Sequence, residues 1–102
     1  MNPQRVSQIN NIIFTPREID VIACIINVRG VKKIGDILGI SHRTVESYIK
    51  TILRKISSNS QEAIKDFVEK SSELVLLKQH YIDLLINKLF LSQIAKCIGL
   101  QS

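Results

Sequence analysis

A chain of 102 residues has room for one small domain, and its 45% hydrophobic content is enough to bury a helical core but not to build a second full domain. The net charge of +5 suits a polyanionic partner and is unevenly placed: residues 1–57 carry nine Lys/Arg against four Asp/Glu, whereas 58–72 come to −1 and 73–102 to +1. No charged segment leading into an apolar stretch opens the chain, and no uncharged run is long enough to cross a bilayer, so the expectation is a soluble, cytoplasmic protein without a membrane partner.

In chain order, Met1 to Ile13 shows no clean period and several Asn and Gln, which reads as a loose N-terminal arm. Within it Arg5 is either a solvated terminal residue or a DNA contact. Thr15, Pro16 and Glu18 then mark a helix start: a Thr cap, proline at the first helical position and glutamate three residues after the cap form a capping box. This helix is predicted to run to about Val28 and, with Ile19, Ile22, Ala23, Cys24, Ile25 and Ile26, to be the most buried element. Arg29 and Gly30 interrupt it. A short helix follows over Val31 to Leu38, with Lys32 and Lys33 near its N-terminus and Gly39 ending it, since glycine accepts the left-handed conformation cheaply.

Only Gly39 and Ile40 separate that helix from the next, Ser41 to Ile56, in which Ser41 supplies the N-cap oxygen. Val45, Tyr48, Ile49, Ile52, Leu53 and Ile56 recur at steps of three and four and share one stripe that must be buried. Arg43, Glu46, Ser47, Lys50 and Arg54 follow the same steps on the opposite side. Taken alone this is either a solvated surface helix or a reading head. A short helix, a tight glycine-bearing turn and a longer helix with a polar outer face together form the helix-turn-helix pattern, whose second helix enters the major groove.

Here FTPRE (Phe14 to Glu18), IGDILGIS (Ile34 to Ser41) and TVESYIKTILRKI (Thr44 to Ile56) resemble, in order and separation, the LuxR/GerE-type (NarL/FixJ-like) DNA-binding domain, over about Phe14 to Lys70. The resemblance implies Glu46, Ser47 and Lys50 facing bases, Lys32, Lys33, Arg43, Thr44 and Arg54 on the DNA backbone, and a homodimer on double-stranded DNA. Two departures stand out. Gly35 occupies a position where the family usually has alanine, and Ser57 and Ser58 stand where it usually has glycine and an aliphatic residue, which leaves the exit from the reading helix open.

Beyond that exit, Ser60 is expected to start a fourth helix with Ala63, Ile64, Phe67 and Val68 on its apolar side, and Ser71 and Ser72 to break the chain again. The remainder, Glu73 to Ser102, lies outside the family's four helices. It is dense in apolar residues, among them Leu74, Leu77, Tyr81, Leu84, Leu85, Ile86 and Leu89, and either folds back over the first helix or pairs with a second copy. Phe67, Val68, Leu74, Leu77 and Tyr81 are the candidate dimerisation residues. The same segment echoes the first two helices sixty positions earlier: Ile22, Ile26, Asn27, Ile34 and Gly39 recur as Ile82, Ile86, Asn87, Ile94 and Gly99. If the echo reflects a repeat, two helices are expected, Glu73 to Leu89 and Gln93 to Ile98, with Ser92 capping the second and Ile94 and Ile98 buried.

Other chemistry is not signalled. Cys24 and Cys97 lack any CxxC or Cys/His spacing and read as small buried hydrophobes. His42 and His80 are isolated from each other and from carboxylates at metal-ligand spacing, and no phosphate loop, GxSxG or HExxH occurs, so no metal, cofactor or small-molecule ligand is expected and the chain is read as a non-enzyme. The expected fold is all-α: an N-terminal arm over 1–13, a four-helix helix-turn-helix domain over 14–72, and a helical extension over 73–102 for packing or dimerisation. The leading expectation for function is sequence-specific double-stranded DNA binding by a small transcription regulator. Such a chain, without room for a receiver or ligand-sensing domain, would be constitutive or controlled by abundance or through the extra helix. Two alternatives stand beside it: a protein-interaction module that acts as antagonist or adaptor of another regulator through the C-terminal helices, and a fragment of a sigma-like promoter-recognition factor.

Overall fold

The computed structural model describes residues 6–97. Five helices and one small hairpin make up this part of the chain: β1 (Gln8–Ile9), β2 (Ile12–Ile13), α1 (Pro16–Ile25), α2 (Val31–Leu38), α3 (His42–Lys55), α4 (Gln61–Glu69) and α5 (Leu74–Cys97). The class is all-α, as the hydrophobic periods predict, with the hairpin as an addition.

That hairpin occupies the second half of the arm expected before Phe14, of which residues 1–5 lie outside the described residues. Gln8 pairs with Ile13 and Ile9 with Ile12 in antiparallel register. Asn10 and Asn11 make the turn at φ 50° and 69°, and asparagine is among the few non-glycine residues that tolerate this left-handed pair. Ile9 and Val6 are buried in the common core, and Asn10 ties the turn down by donating from Nδ2 to the Phe67 carbonyl and from its backbone N–H to Glu73 Oε1, both at 3.3 Å. Arg5, the arm's candidate DNA contact, lies outside the described residues.

Helix α1 is the centre of the core. Its capping box is complete: the Glu18 N–H donates to Thr15 Oγ1 at 3.2 Å and the Thr15 N–H to Glu18 Oε1 at 2.8 Å. Ile19, Val21, Ile22, Ala23 and Cys24 are fully buried. The helix stops at Ile25, short of the expected Val28, because Asn27 turns back on it: its side-chain amide donates to the Ala23 carbonyl at 2.8 Å, and the N–H groups of Asn27 and Val28 both go to the Cys24 carbonyl. Arg17 pairs with Asp20 at 2.9 Å and donates its other guanidinium nitrogen to the carbonyl of Leu38 at 3.1 Å, so one side chain of α1 holds the C-terminal end of α2.

Helix α5 is one continuous element from Leu74 to Cys97. The predicted break between Leu89 and Ser92, and the half-motif it would have marked, are therefore incorrect. Serine at position 92 is tolerated inside a helix, and no glycine or proline stands between Leu74 and Cys97 to stop propagation. Ile98 and Gly99 lie outside the described residues, as does the burial of Ile94. Over its first half α5 packs on α1, with Leu77 fully buried and Leu74, Tyr81 and Leu84 against the core. His80 Nε2 stands 2.7 Å from Asp20 Oδ1, and Lys88 donates to the Asp36 carbonyl of α2 at 2.7 Å. Burial would raise the Asp20 carboxyl, but hydrogen bonds from His80 and Arg17, together with their charges, outweigh it and hold the group below its ordinary value. Burial pushes the Cys24 thiol up to about 12, which leaves it an inert core side chain.

Candidate nucleic-acid interface

The site is built on α2 and α3 and the turn between them. Gly39 closes α2 at φ 70°, and its N–H returns to the Gly35 carbonyl. At Gly35 the two helices come so close that a Cβ would stand 2.6 Å from the Ile40 carbonyl oxygen, so in this chain even alanine there requires the 39–40 turn to move. Ser41 then caps α3, accepting from the Thr44 N–H at 3.1 Å, and its hydroxyl also lies 2.9 Å from Thr44 Oγ1.

Below this entry Val45, Ile49 and Ile52 are buried and Tyr48, Leu53 and Ile56 pack beside them, as the sequence stripe requires. The exit is a Schellman turn made without glycine. The Ser58 N–H reaches the Leu53 carbonyl at 3.0 Å, the Ser57 N–H reaches Arg54 at 3.3 Å, and Ser57 itself sits at φ 57°. The serine thus takes the conformation usually given to glycine, and the exit geometry left open by the sequence is kept at the cost of backbone strain.

The base-facing candidates Glu46, Ser47 and Lys50 and the backbone candidates Lys32, Lys33, Arg43, Thr44 and Arg54 are all exposed. Arg43, Ser47, Lys50 and Arg54 lie on the face of α3 opposite its buried stripe, with Thr44 and Glu46 on its two flanks. Lys32 and Lys33 open α2, whose N-cap is Gly30 with no side-chain cap and whose first turn holds no acidic residue. Two cations at the positive end of a helix are unfavourable for the fold, but they concentrate positive potential at the start of α2.

Sequence reasoning did not identify the residue that fixes the far end of the reading helix. Lys55 Nζ lies 2.6 Å from Glu18 Oε1, donates to the Ile13 carbonyl at 3.2 Å, and stands 5.3 Å from the centre of the Phe14 ring. Glu18 is buried, so a capping carboxylate of α1 is also the anchor of α3. The capping box was readable in the sequence, but its partner thirty-seven positions later leaves no local signal.

The five candidate dimerisation residues lie elsewhere. Val68 and Leu77 are fully buried, and Phe67, Leu74 and Tyr81 are half-buried against the same core, with Phe67 edge-on to Phe14 at a centroid distance of 6.4 Å. An interface through Val68 or Leu77 would have to open the monomer, whereas Phe67, Leu74 and Tyr81 keep part of their surface outside the core. Among the described side chains of α5, which end at Phe90, the large apolar residues left exposed are Val75, Leu76, Ile82, Ile86, Leu89 and Phe90.

No helix of the described residues is long and apolar enough to cross a membrane. No curated protein and no solved structure matches the chain. A family profile does match, across residues 13–68, the segment from the second strand of the hairpin to α4 that contains the whole of α2, the turn and α3, and its description is "Bacterial regulatory proteins, luxR family". With more than half of the chain inside that match and a capped helix-turn-helix presenting a basic outer face, the chain belongs to the luxR family of bacterial regulatory proteins, whose domain is a DNA-binding transcription regulator.

Proposed function

We propose that this protein is a sequence-specific transcription regulator that binds duplex DNA with α3 in the major groove, as a homodimer that sets two copies of α3 on a two-fold site. The observation that carries the reading is the coincidence of charge and geometry. The positive excess lies within residues 1–57, and Lys32, Lys33, Arg43, Lys50 and Arg54 are exposed on the two helices of the motif, whose tight turn holds the polar face of α3 clear of the core. Glu46, Ser47 and Lys50 lie on that side or its flank and face base edges, with Lys50 suited to guanine and Glu46 to the cytosine amino group. Lys32, Lys33, Arg43, Thr44 and Arg54 lie around them and take the phosphates, which positions the helix without specifying sequence. Duplex DNA as the partner, in a family described as bacterial regulators, supports a cytoplasmic site of action.

Selection of bound duplexes from a random pool tests this. The wild-type chain is expected to enrich a palindromic site, and Lys50→Ala to relax preference at one position per half-site while costing about 1–3 kcal/mol on the specific duplex. Equal losses on specific and random DNA would reassign Lys50 to the phosphates, and failure to enrich any sequence would favour an adaptor that works through α5.

A further inference from the structure

Helix α5 is apolar on two sides. Leu77 and Leu84 face the domain, while Val75, Ile82, Ile86 and Leu89 are 75%, 46%, 58% and 66% exposed on the other side. Their spacing, seven, then four, then three, is that of the d, d, a and d positions of a heptad repeat, with Gln79 as the intervening a residue. The inward residues then fall at c and f, so packing on α1 leaves the a/d seam open along its length. We propose that this seam pairs in parallel with the same seam of a second copy of the chain, forming a short two-stranded coiled coil. The inference deepens the dimeric part of the function proposed above and rests on it, but not on how bases are read.

Charge selects both the occupant and its direction. Lys78 and Asp83 are exposed and flank the seam at g and e. In a parallel pair a g residue meets the e residue five positions later on the partner, so Lys78 of each copy meets Asp83 of the other, twice by symmetry. In an antiparallel pair g meets g and e meets e, which opposes lysine to lysine and aspartate to aspartate. Within the free chain Gln79 Nε2 donates to Asp83 Oδ1 at 3.1 Å, which holds the carboxylate beside the seam. The seam from Val75 to Leu89 is only about 22 Å long, too short for two free peptides. Here the helix is already ordered against α1, so association does not carry the cost of forming it.

Sedimentation equilibrium of the full chain, up to about 200 µM, tests the proposal. Wild type is expected to show a monomer–dimer equilibrium, and Ile86→Asp to weaken it by about a hundredfold with unchanged helicity, because that side chain touches no core. Lys78→Glu and Asp83→Lys should each weaken pairing by about tenfold, and the double exchange K78E/D83K should restore it. A wild-type chain that stays monomeric, an Ile86→Asp chain that associates as well as wild type, or single charge changes without effect would each overturn the proposal. Binding to a duplex carrying one half-site, measured on the same samples, separates the two readings. Intact pairing with no DNA binding sinks the DNA reading alone, whereas half-site binding by a chain that never pairs sinks this proposal and the homodimer it rests on, and leaves DNA binding by α3 standing.

Discussion

Single residues decide how the reading helix enters and leaves. Ser57 holds a left-handed conformation that disfavours any side chain by about 1 kcal/mol, while the surrounding Schellman hydrogen bonds need only the backbone. Ser57→Gly removes that strain, partly offset by the greater freedom of glycine in the unfolded chain, and should raise stability by about 0.5–1 kcal/mol in urea unfolding. A loss of stability would mean that the serine side chain makes a contact that the Schellman account omits. Thr15, Glu18, Gly39 and Ser41 were legible as caps because each acts on backbone groups within three or four positions. Asn10 and Asn11 were not read as a turn, although paired asparagines accept positive φ, because the flanking strands are two residues each and too short to show alternation. The Glu18–Lys55 pair was illegible for the opposite reason, since contact between distant residues has no period.

At the level of elements, α2 is where fold and function pull apart. Lys33 at its N-terminal turn opposes the helix dipole, so Lys33→Glu should stabilise the protein by about 0.3–1 kcal/mol. The same change should weaken DNA binding uniformly across sequences and reduce the salt slope by about one. Parallel thermal unfolding and duplex titration would show it, and a variant weakened in both stability and binding would place Lys33 in a structural role instead. Helix α5 is fastened to α1 by the Asp20–His80 pair. Because the folded Asp20 carboxyl is held below its ordinary value of 3.8, its contribution is complete above that pH and is lost as pH falls through the lower folded value. Urea midpoints below about pH 4 should therefore fall more steeply for wild type than for Asp20→Asn. Equal slopes would remove Asp20 from the acid response. The existence of α5 was plain from its apolar density, but its continuity and its partner were not: a helix apolar on opposite sides has no single stripe from which to read which face is buried.

For the whole molecule, the hairpin, the four family helices and the first half of α5 share one core around α1, and the exposed faces of α3 and α5 with the lysine-bearing start of α2 carry the proposed partner contacts. The core was readable as a set of stripes and the DNA face as the polar complement of one of them. Of the five residues assigned to pairing, Val68 and Leu77 lie inside the monomer and Phe67, Leu74 and Tyr81 only partly so, because periodicity marks an apolar face without saying which surface covers it. The central claim is that the basic face around α3 binds duplex DNA by neutralising phosphates. Fluorescence anisotropy of a labelled duplex against rising salt tests it most directly. With Lys32, Lys33, Arg43 and Arg54 of both protomers on phosphates, the log–log slope should be roughly −7 for the dimer on its full site, about a 10⁴-fold loss of affinity between 50 and 200 mM salt. Binding that is undetectable at low salt, or unchanged across that range, would contradict it.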